Sequence, residues 1–475
     1  MGRLSVNCSH QTKEEKMKNR HRLTRRDFLR NLTVATAGVV GLAACAPAAA
    51  PQAGQSTGGE ETSQASAEPI TITFIVDTIN EGHVQVRNKW AQEFMEAHPN
   101  VKVDHQPIPQ DYTTKIQTLF AAGTPADVYR YLQEVTPIIT VAEKNMHLQL
   151  DDYIARDNYD LSDFRPDAVE LYRWEGKTYA LPRDYGNQNL FYNLDLLEEA
   201  GIEPPPADWE DKTFTFEVFL DMAQRLTKRS GDRTEQWGFL VNRGQRPWAS
   251  WLYCNGGALV HKDERGVATD CALTDEASVE ALQFLQDLMY KYEVAPRPDL
   301  ESELGGFDLF ATGRVGIMLT NPSAVNLFRT IETFRWDVAT LPLGKAERRG
   351  TGGGGTGWAG AAATKHPDVV WEFLKHISSP EAELDEVSVG ATTPSRLSVV
   401  LSDAFLDPEK PPKNARAFAQ AQEYVVRDPV HVLWPEITQR IYNPKMDLLW
   451  SGTNDAATVA QMIKEEADPL FARSS

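Results

Sequence analysis

The pattern of apolar positions separates a short N-terminal run from a long body of alternating strands and helices. Residues 70–76 alternate apolar and polar side chains as a strand does, and this run ends at Asp77. Val86, Trp90 and Phe94 then recur four residues apart, which predicts a helix over residues 83–98 that stops at Pro99. The body therefore begins with a strand followed by an amphipathic helix.

The same alternation continues and predicts the fold class. Residues 101–103 and 127–132 are typical of strands, residues 112–120 form a second helical pattern, and another helix is expected after Pro137. A β-α-β-α-β order with crossovers of helix length predicts a parallel sheet covered on both faces, in an α/β fold. About 400 residues are more than one core usually holds, so we expect two lobes.

The middle of the chain has a different order of elements. A hairpin is expected over residues 171–181 with its turn at Gly176, and strands over residues 190–192, 315–319 and 336–340. Helices are expected over residues 215–228 and 274–292, with Thr215 and Thr274 as N-caps. The C-terminal third is helical in pattern.

The N-terminal run carries export signals. Arg25 and Arg26 precede an apolar segment that ends at Leu42-Ala43-Ala44-Cys45, and this segment is too short for the ~20 residues of a membrane span. The arginine pair resembles a twin-arginine signal and the last four residues resemble a lipobox. The resemblance implies a signal peptide over residues 1–44, cleavage before Cys45 and lipidation of its thiol. We therefore expect the protein on the outer side of the cell membrane, held by lipid alone.

The segment after this signal fits a tether. Residues 46–69 contain no aromatic residue and no valine, leucine or isoleucine, so they cannot bury enough apolar surface to fold. We expect a flexible linker over residues 45–69. Either Met1 or Met17 suits the start of the signal.

Charge and cysteine content exclude several partners. The chain has a formal net charge of −19, and positions 1–44 are basic, so the rest is more acidic still. This argues against nucleic acid and anionic lipid surfaces as partners. Cys254 and Cys271 lie outside any C-x-x-C spacing, and they are either bridged in a disulfide or two separate buried thiols. No metal site and no cofactor are expected.

A series of landmarks in fixed order resembles the extracellular solute-binding proteins of carbohydrate ABC transporters, relatives of maltose-binding protein. The landmarks are Gly123-Thr124-Pro125-Ala126-Asp127-Val128, Gly176-Lys177-Thr178-Tyr179-Ala180-Leu181-Pro182, Leu190-Phe191-Tyr192-Asn193, Asn255-Gly256-Gly257, Phe310-Ala311-Thr312-Gly313-Arg314-Val315-Gly316-Ile317-Met318 and Pro394-Ser395-Arg396. The chain departs from the family pattern at Asn321-Pro322-Ser323, where those relatives often carry Gly-x-Trp, so one stacking aromatic is missing there.

The resemblance implies a two-lobe type II periplasmic-binding-protein fold with a ligand cleft between the lobes. Lobe 1 would comprise residues 70–183 and 341–388, and lobe 2 residues 184–340 and 389–475. Closure would be a hinge motion at the crossings between them. The protein would be a monomeric, non-enzymatic receptor that hands a mono- or oligosaccharide to the permease.

Carbohydrate binding needs aromatic platforms and planar polar groups. Trp90, Trp371, Trp237 and Trp336 lie in amphipathic helices or strand-like runs and are expected in the core. The candidate platforms lie near glycine and proline and are Trp248, Trp251, Trp358 and Trp434. Trp248 and Trp251 lie in a segment that is expected to be a loop followed by a helix. Packing in the core is the alternative for each.

Polar candidates follow the ends of strands and the first crossing, because ligands of open α/β sheets lie beyond the carboxyl ends of strands. They are Asp77, Tyr131, Glu134, Asp184, Tyr185, Asn187 and Arg396. Capping of the next segment is the alternative for Asp77, and an ion pair with Arg183 is the alternative for Asp184.

The glycine run over residues 352–357 contains G-x-G-x-x-G, but no strand–turn–helix surrounds it and no lysine follows. It is either a loop that lets backbone approach a ligand and presents Trp358, or a mobile surface loop.

Other functions remain open. A binder of a non-sugar solute (an ion, a polyamine or a peptide) on the same fold is the main alternative. A secreted glycoside hydrolase is a weaker one, because no spacing singles out an acid and a nucleophile. A redox enzyme would explain twin-arginine export, but the histidines and cysteines form no ligand cluster.

Overall fold

The computed structural model describes residues 69–78, 80–231, 233–390 and 393–473, and it omits the side chains of residues 302–304. Arg25, Arg26, Cys45 and the predicted tether therefore lie outside the described residues. Within these ranges, no helix combines the length and the apolar character needed to cross a bilayer.

The first strand shows why this part folds as a sheet covered on both faces. Ile72, Phe74 and Val76 are buried on one face of β1 (Ile70–Asp77), and Ile75 is buried on the other. Both faces are therefore apolar, as expected of a strand in a covered parallel sheet. The predicted helix is α1 (Glu81–Ala97), which packs Val86, Trp90 and Phe94 against that sheet.

The elements that follow begin with the predicted alternation of strand and helix, and two further helices and three short strands come after it. They are β2 (Val101–Ile108), α2 (Tyr112–Ala121), β3 (Val128–Leu132), α3 (Ile138–Glu143), α4 (Asp151–Asp157), α5 (Pro166–Glu170), β4 (Arg173–Trp174), β5 (Lys177–Thr178) and β6 (Leu181–Pro182). β4 and β5 form the predicted hairpin, and its turn has positive φ at Glu175 and Gly176.

The middle of the chain builds a second sheet. Its elements are β7 (Asn189–Asn193), α6 (Leu194–Glu199), α7 (Phe216–Leu226), β8 (Lys228–Ser230), β9 (Arg233–Leu240), α8 (Gln245–Asn255), β10 (Val260–Lys262), β11 (Ala268–Cys271), α9 (Glu276–Tyr290), α10 (Pro298–Leu304), α11 (Gly306–Ala311), β12 (Val315–Thr320), a 3-10 turn (Pro322–Ala324), α12 (Val325–Phe328) and β13 (Trp336–Ala339). Thr215 caps α7 through its side chain, as predicted. The cap of α9 is Asp275, one residue after the predicted Thr274.

The last third returns to the first sheet and then adds helices. Its elements are β14 (Thr351–Gly353), β15 (Thr356–Gly360), α13 (Pro367–Ile377), α14 (Pro380–Ser388), α15 (Leu397–Val400), α16 (Asp403–Leu406), α17 (Arg416–Ala421), a 3-10 turn (Gln422–Tyr424), β16 (Val425–Arg427), α18 (Trp434–Ile437), a π turn (Thr438–Tyr442), α19 (Asn443–Trp450) and α20 (Ala456–Phe471).

Two five-stranded sheets organise the chain. The first has the order β2-β1-β3-β15-β6, with β1 parallel to β2 and β3 and with β15 antiparallel to both β3 and β6. The second has the order β13-β7-β12-β9-β8, with β7 antiparallel to β12 and β13. We call the parts packed on these sheets lobe 1 and lobe 2. The parallel pairing in the first sheet was predicted from the sequence. The antiparallel strand β15 was not predicted there, and it lies more than 170 positions after β6 in the chain.

The chain passes between the sheets near the predicted points. β6 belongs to the first sheet and β7 to the second, so the first crossing lies at residues 183–188. The return falls between β13 and β15, where β14 packs against α8 of lobe 2. The predicted limit at residue 341 lies within this return. The predicted limit at residue 389 lies directly after the end of α14. The lobe limits themselves stay predictions.

Candidate functional site

A cleft of about 770 Å³ lies between the two sheets and is lined from both lobes. One wall comes from the ends of β1 and β3, the other from the end of β12 and the start of α8, and the two crossings supply its base. This is where ligands of open α/β sheets bind. The lining residues are Asp77, Arg87, Arg130, Leu132, Glu134, Arg183, Asp184, Gly186, Asn187, Gln188, Asn242, Gly244, Gln245, Arg246, Pro247, Phe307, Thr320, Asn321, Pro322, Ser323, Gly353, Gly354, Gly355, Thr356, Thr393, Asp428, Trp434, Pro435, Thr438, Gln439 and Asn443.

Asp77 is held in place on the lobe 1 wall by two arginines. The guanidinium of Arg130 lies 2.8 Å from Asp77 Oδ2, and Arg87 donates to the Asp77 backbone carbonyl. Asp77 Oδ1 is buried and has no hydrogen-bond partner among the described residues. The carboxylate is thus positioned by one oxygen, and the other oxygen is left with unused capacity to accept a hydrogen bond.

A buried ionic network forms the base of the cleft. Arg183 Nη1 lies 2.5 Å from Asp184 Oδ2, and its Nη2 donates to Glu386 on α14. Glu386 also lies 3.3 Å from Arg87 Nη2 on α1. The network therefore joins α1, the first crossing and α14.

Burial and ion pairing have opposite effects on the pKa values of Glu386, Arg183 and Arg87. Burial alone would raise the pKa of Glu386, but the guanidiniums of Arg183 and Arg87 outweigh it and the pKa is lowered. Burial would lower the pKa of Arg183, but Glu386 and Asp184 outweigh it and the pKa is raised. Burial dominates at Arg87, whose pKa is lowered despite Glu386. These opposing effects are typical of charges that are buried together.

Two amide side chains on the first crossing have unused acceptors. Asn187 donates through Nδ2 to the Phe418 carbonyl at 2.9 Å, while its buried Oδ1 has no partner among the described residues. Gln188 Oε1 is likewise buried without a partner there. A buried acceptor without a donor costs free energy, so both are suited to receive a ligand hydroxyl.

Arg246 connects the lobes across the cleft. From the start of α8 in lobe 2, its Nη2 lies 2.6 Å from Glu134 Oε2 in lobe 1 and 2.5 Å from Asp428 Oδ2. Burial would lower the pKa of Arg246, but Asp428 and Glu134 outweigh it and the pKa is raised. Arg246 is therefore a charged link between the two walls of the cleft.

The cleft is balanced in charge and poor in aromatic surface. Its four arginines are matched by four lining carboxylates. Its aromatic residues are Phe307, which is 42% exposed, and Trp434, which is 4% exposed. Trp434 stacks on Phe471 with the ring centroids 6.4 Å apart, so one face of its indole is covered by the protein.

Five of the predicted ligand-binding residues line the cleft, namely Asp77, Glu134, Asp184, Asn187 and Trp434. They come from four separate parts of the chain, as the strand-end and crossing arguments require. Their contact with a ligand stays a prediction. Asp184 also accepts from the Thr356 backbone N–H at 2.7 Å, so the expected ion pair with Arg183 is only one of its contacts.

The predicted platforms Trp248, Trp251 and Trp358 do not line the cleft, and their assignment is corrected. Trp358 on β15 is 1% exposed and packs edge-on against Phe74 and Trp90 in the lobe 1 core. Trp248 and Trp251 belong to the lobe 2 core, because the segment expected to be loop then helix is the buried helix α8. Trp90, Trp371, Trp237 and Trp336 are buried in the cores, as predicted.

Three further predicted residues also lie outside the lining. The Tyr131 hydroxyl donates to the Thr136 carbonyl at 2.8 Å, and Tyr185 is fully buried. Arg396 donates to the Ser378 carbonyl and lies 3.1 Å from Asp163, so it joins elements within the protein. Tyr131 and Tyr185 each lie between two residues that line the cleft, so their own side chains point to the opposite side.

The glycine run packs against the first crossing. Gly186 N–H donates to the Gly354 carbonyl at 2.7 Å, and a Cβ on Gly355 would lie 2.0 Å from the Asp184 carbonyl oxygen. Glycine is required here because backbone meets backbone. The run lines the cleft through Gly353, Gly354 and Gly355, while Trp358 points away from it.

Cys254 and Cys271 are separate buried thiols. Burial raises the pKa of the Cys254 thiol to about 12, and its Sγ donates to the Gly350 carbonyl at 3.3 Å. Of the two arrangements that the sequence left open, the structure has two separate thiols and no disulfide between these two cysteines.

Several cleft residues were not predicted from the sequence. Arg87 lies within α1, Arg130 lies within β3, and Arg246 lies at the start of α8, two residues before Trp248. A weak signal existed for Asn321, because the departure from the family pattern at that position marked it. No group of three or more histidine, cysteine, aspartate or glutamate residues suited to a metal occurs in the described ranges.

Comparison with known structures supports the fold. A solved ABC substrate-binding protein of Listeria monocytogenes, in complex with cycloalternan, superposes with a TM-score of 0.72 and 23% sequence identity, covering 85% of this chain and 99% of that one. The two proteins share the two-lobe fold.

Relatives found by sequence match a smaller share of the chain than the solved structure does. A Brucella abortus protein described as a binding protein is 27% identical over 296 residues, which is 59% of this chain and 65% of the relative, just under two thirds of its length. The arabinooligosaccharide-binding protein of Bacillus subtilis is 21% identical over 332 residues, covering 68% and 72% of the two chains. The family model of bacterial extracellular solute-binding proteins matches residues 89–414, well over half of the sequence, and the chain belongs to that family.

Proposed function

We propose that the protein binds a mono- or oligosaccharide in the cleft by hinge closure and delivers it to the permease of an ABC importer. The observation that carries the proposal is a set of buried acceptors without a partner among the described residues, on Asp77 at the lobe 1 wall and on Asn187 and Gln188 at the base of the interlobe cleft. Sugars present many hydroxyl donors at close spacing, which is the complement of such a surface.

The charge balance supports a neutral ligand. Each lining arginine contacts a carboxylate within the protein, so none remains to attract an anion or repel a cation. A polyamine would need an excess of carboxylates, and an acidic peptide an excess of guanidiniums. A non-sugar solute stays the alternative that the binding screen must address.

The names of the relatives agree with this class of ligand. One relative is named for arabinooligosaccharide, and the Listeria structure holds cycloalternan. Neither name transfers to this chain.

The location belongs to the same proposal. The twin-arginine pair Arg25-Arg26 and the lipobox at Cys45 support export and attachment to the outer face of the cell membrane through lipid. The receptor would act as a monomer, and the closed, liganded form would be the one that the permease selects. No catalytic role is proposed.

A thermal-shift screen of the full chain against a carbohydrate library, with polyamines and short peptides included, tests the proposal. Ligand at about 100 times its Kd stabilises the native state by roughly 2.7 kcal/mol, which raises the melting temperature measurably. A peptide or polyamine hit with no sugar hit would replace the proposal by its alternative.

Asn187→Ala and Asn189→Ala form a matched pair for the binding site. Both amides are fully buried, donate to a backbone carbonyl and leave Oδ1 without a partner among the described residues, but Asn189 does not line the cleft. Affinity for the sugar from the screen should fall about tenfold or more in Asn187→Ala, as expected for loss of a buried hydrogen bond, and stay unchanged in Asn189→Ala. Equal effects in calorimetric titrations would exclude the cleft as the binding site.

A further inference from the structure

An apolar groove adjoins the polar cleft. It has a volume of about 800 Å³, and lobe 1 contributes residues of α2, α3 and the loops around them, while lobe 2 contributes residues 432, 433, 435 and 436. Ile116, Phe120, Val135, Met146 and Leu433 line it and keep part of their apolar surface exposed to solvent. Groups of exposed apolar side chains of this kind mark binding surfaces.

The groove adjoins the cleft at Pro435, which lines both. On the lobe 1 side, Glu134 lines the cleft and the next residue, Val135, lines the groove. On the lobe 2 side, Trp434 borders the cleft and Leu433 borders the groove. A molecule that extends out of the cleft past Trp434 and Glu134 therefore enters the groove directly.

The two spaces differ in chemistry. The cleft is lined by four arginines, four carboxylates and many amides, whereas the charged residues that line the groove are Glu143, Lys144 and Glu436. Arg440 Nη1 lies 2.6 Å from Glu436 Oε1, so the Glu436 carboxylate is paired with a residue one helical turn further along the chain. A ligand that fits both spaces has a polyhydroxylated end and an apolar end.

We propose that the ligand is an amphiphilic glycoside, whose sugar lies in the cleft and whose alkyl or aryl substituent lies in the groove. This rests on the proposed function and specifies its substrate class. Because both lobes line the groove, a substituent bound there buries apolar surface against each of them and favours the closed arrangement. The apolar end thus supplies the contact area that the cleft, with its few aromatic platforms, lacks.

Paired glycosides test the proposal on the full chain. The probes are 4-nitrophenyl and methyl glycosides of the same sugars (glucose, galactose, mannose, xylose and arabinose, in both anomers), titrated by calorimetry. Burial of an aryl ring should make at least one 4-nitrophenyl glycoside bind on the order of tenfold tighter than its methyl counterpart. Ile116→Gln and Met146→Gln should each reduce this ratio toward one, because they place an amide in the groove.

Leu327→Gln is the matched control, since Leu327 is 47% exposed and lies outside both the cleft and the groove. It should leave the ratio unchanged. Melting curves of all three variants show whether they are folded, and the affinity for the methyl glycoside shows whether the cleft is intact.

The outcomes separate this proposal from the proposed function. Methyl glycosides or free sugars that bind, with no gain from the aryl group, would overturn the amphiphilic ligand and leave sugar binding in place. A gain that persists in both groove variants would place the substituent elsewhere and also overturn it. Failure of every glycoside and free sugar would overturn both proposals. Dimerisation in sedimentation runs that Ile116→Gln abolishes would assign the groove to a second copy of the chain instead.

Discussion

Replacement of Trp358 by alanine distinguishes a core tryptophan from a ligand platform. The indole on β15 is 1% exposed, with Phe74 and Trp90 edge-on at centroid distances of 5.7 Å and 6.2 Å. Its removal leaves a cavity between the first sheet and α1, and neighbours in a packed core fill such a space only in part. We therefore expect the variant to lose folding stability first.

The size of the effect follows from the burial. Phe/Trp→Ala changes at fully buried sites cost about 3–5 kcal/mol of unfolding free energy. Binding should suffer less, because the ring meets the cleft only through Arg183, whose guanidinium carbon lies 5.4 Å from the ring centroid. Loss of a cation–π contact of about 0.5–1 kcal/mol corresponds to roughly a two- to fivefold loss of affinity, provided that Arg183 keeps its carboxylate partners.

Urea unfolding of the ligand-free protein, followed by far-UV circular dichroism, measures the first quantity, and calorimetric titration with the sugar found by the screen measures the second. Trp371→Ala is the matched control, because Trp371 is also fully buried in lobe 1 but does not line the cleft or contact Arg183. It should lose similar stability and keep its affinity. A Trp358→Ala protein of near wild-type stability whose affinity drops more than tenfold would refute the core assignment.

Three further predictions concern other parts of the molecule. Burial raises the pKa of Glu383 from 4.5 to about 7, so its contribution to stability is complete below pH 4.5 and is lost as the pH rises through 7. Glu383→Gln should therefore gain stability relative to wild type between pH 4.5 and 8, and a pH-independent difference in melting temperature would contradict this. Glu134→Gln should weaken sugar binding about two- to fivefold at low salt, since its partly exposed pair with Arg246 is worth at most about 1 kcal/mol, and the difference should shrink in 1 M NaCl. Cys45→Ala should abolish incorporation of radiolabelled fatty acid, and continued labelling would remove the lipoprotein assignment.

Local periodicity was sufficient to predict most elements of the fold. The alternation in β1 and the spacing of Trp90 and Phe94 in α1 report directly which faces are buried, and both predictions are confirmed. Periodicity failed where a helix is buried all round. Between Gly244 and Gly256 the chain looked like loop then helix, but α8 lies inside the lobe 2 core, so Trp248 and Trp251 have no free face.

The cleft could be predicted only in part, because its chemistry depends on residues that are far apart in sequence. Strand ends and crossings located Asp77 and Asp184, since their position follows from the general geometry of α/β sheets. The residues that orient Asp77 and Asp184 cannot be predicted from that general geometry. Arg130 reaches Asp77 from another strand, and Glu386 reaches Arg183 across 203 positions of sequence. Such contacts are decided by the packing of α1 and α14 against the first sheet.

The ionic base also determines which parts of the cleft can move. Removal of one partner from a buried ion pair typically costs about 3–5 kcal/mol, because the remaining charge is left without compensation. The contact of Arg183 with Glu386 on α14 therefore fixes the first crossing to lobe 1, and the backbone bond from Gly186 to Gly354 fixes the return beside it. A hinge motion would then carry lobe 2 relative to this fixed base, and the contact that it would make and break is the one between Arg246 and Glu134. Asp184 would stay in place during closure, so a ligand would meet the base of the cleft first and the Arg246 wall second.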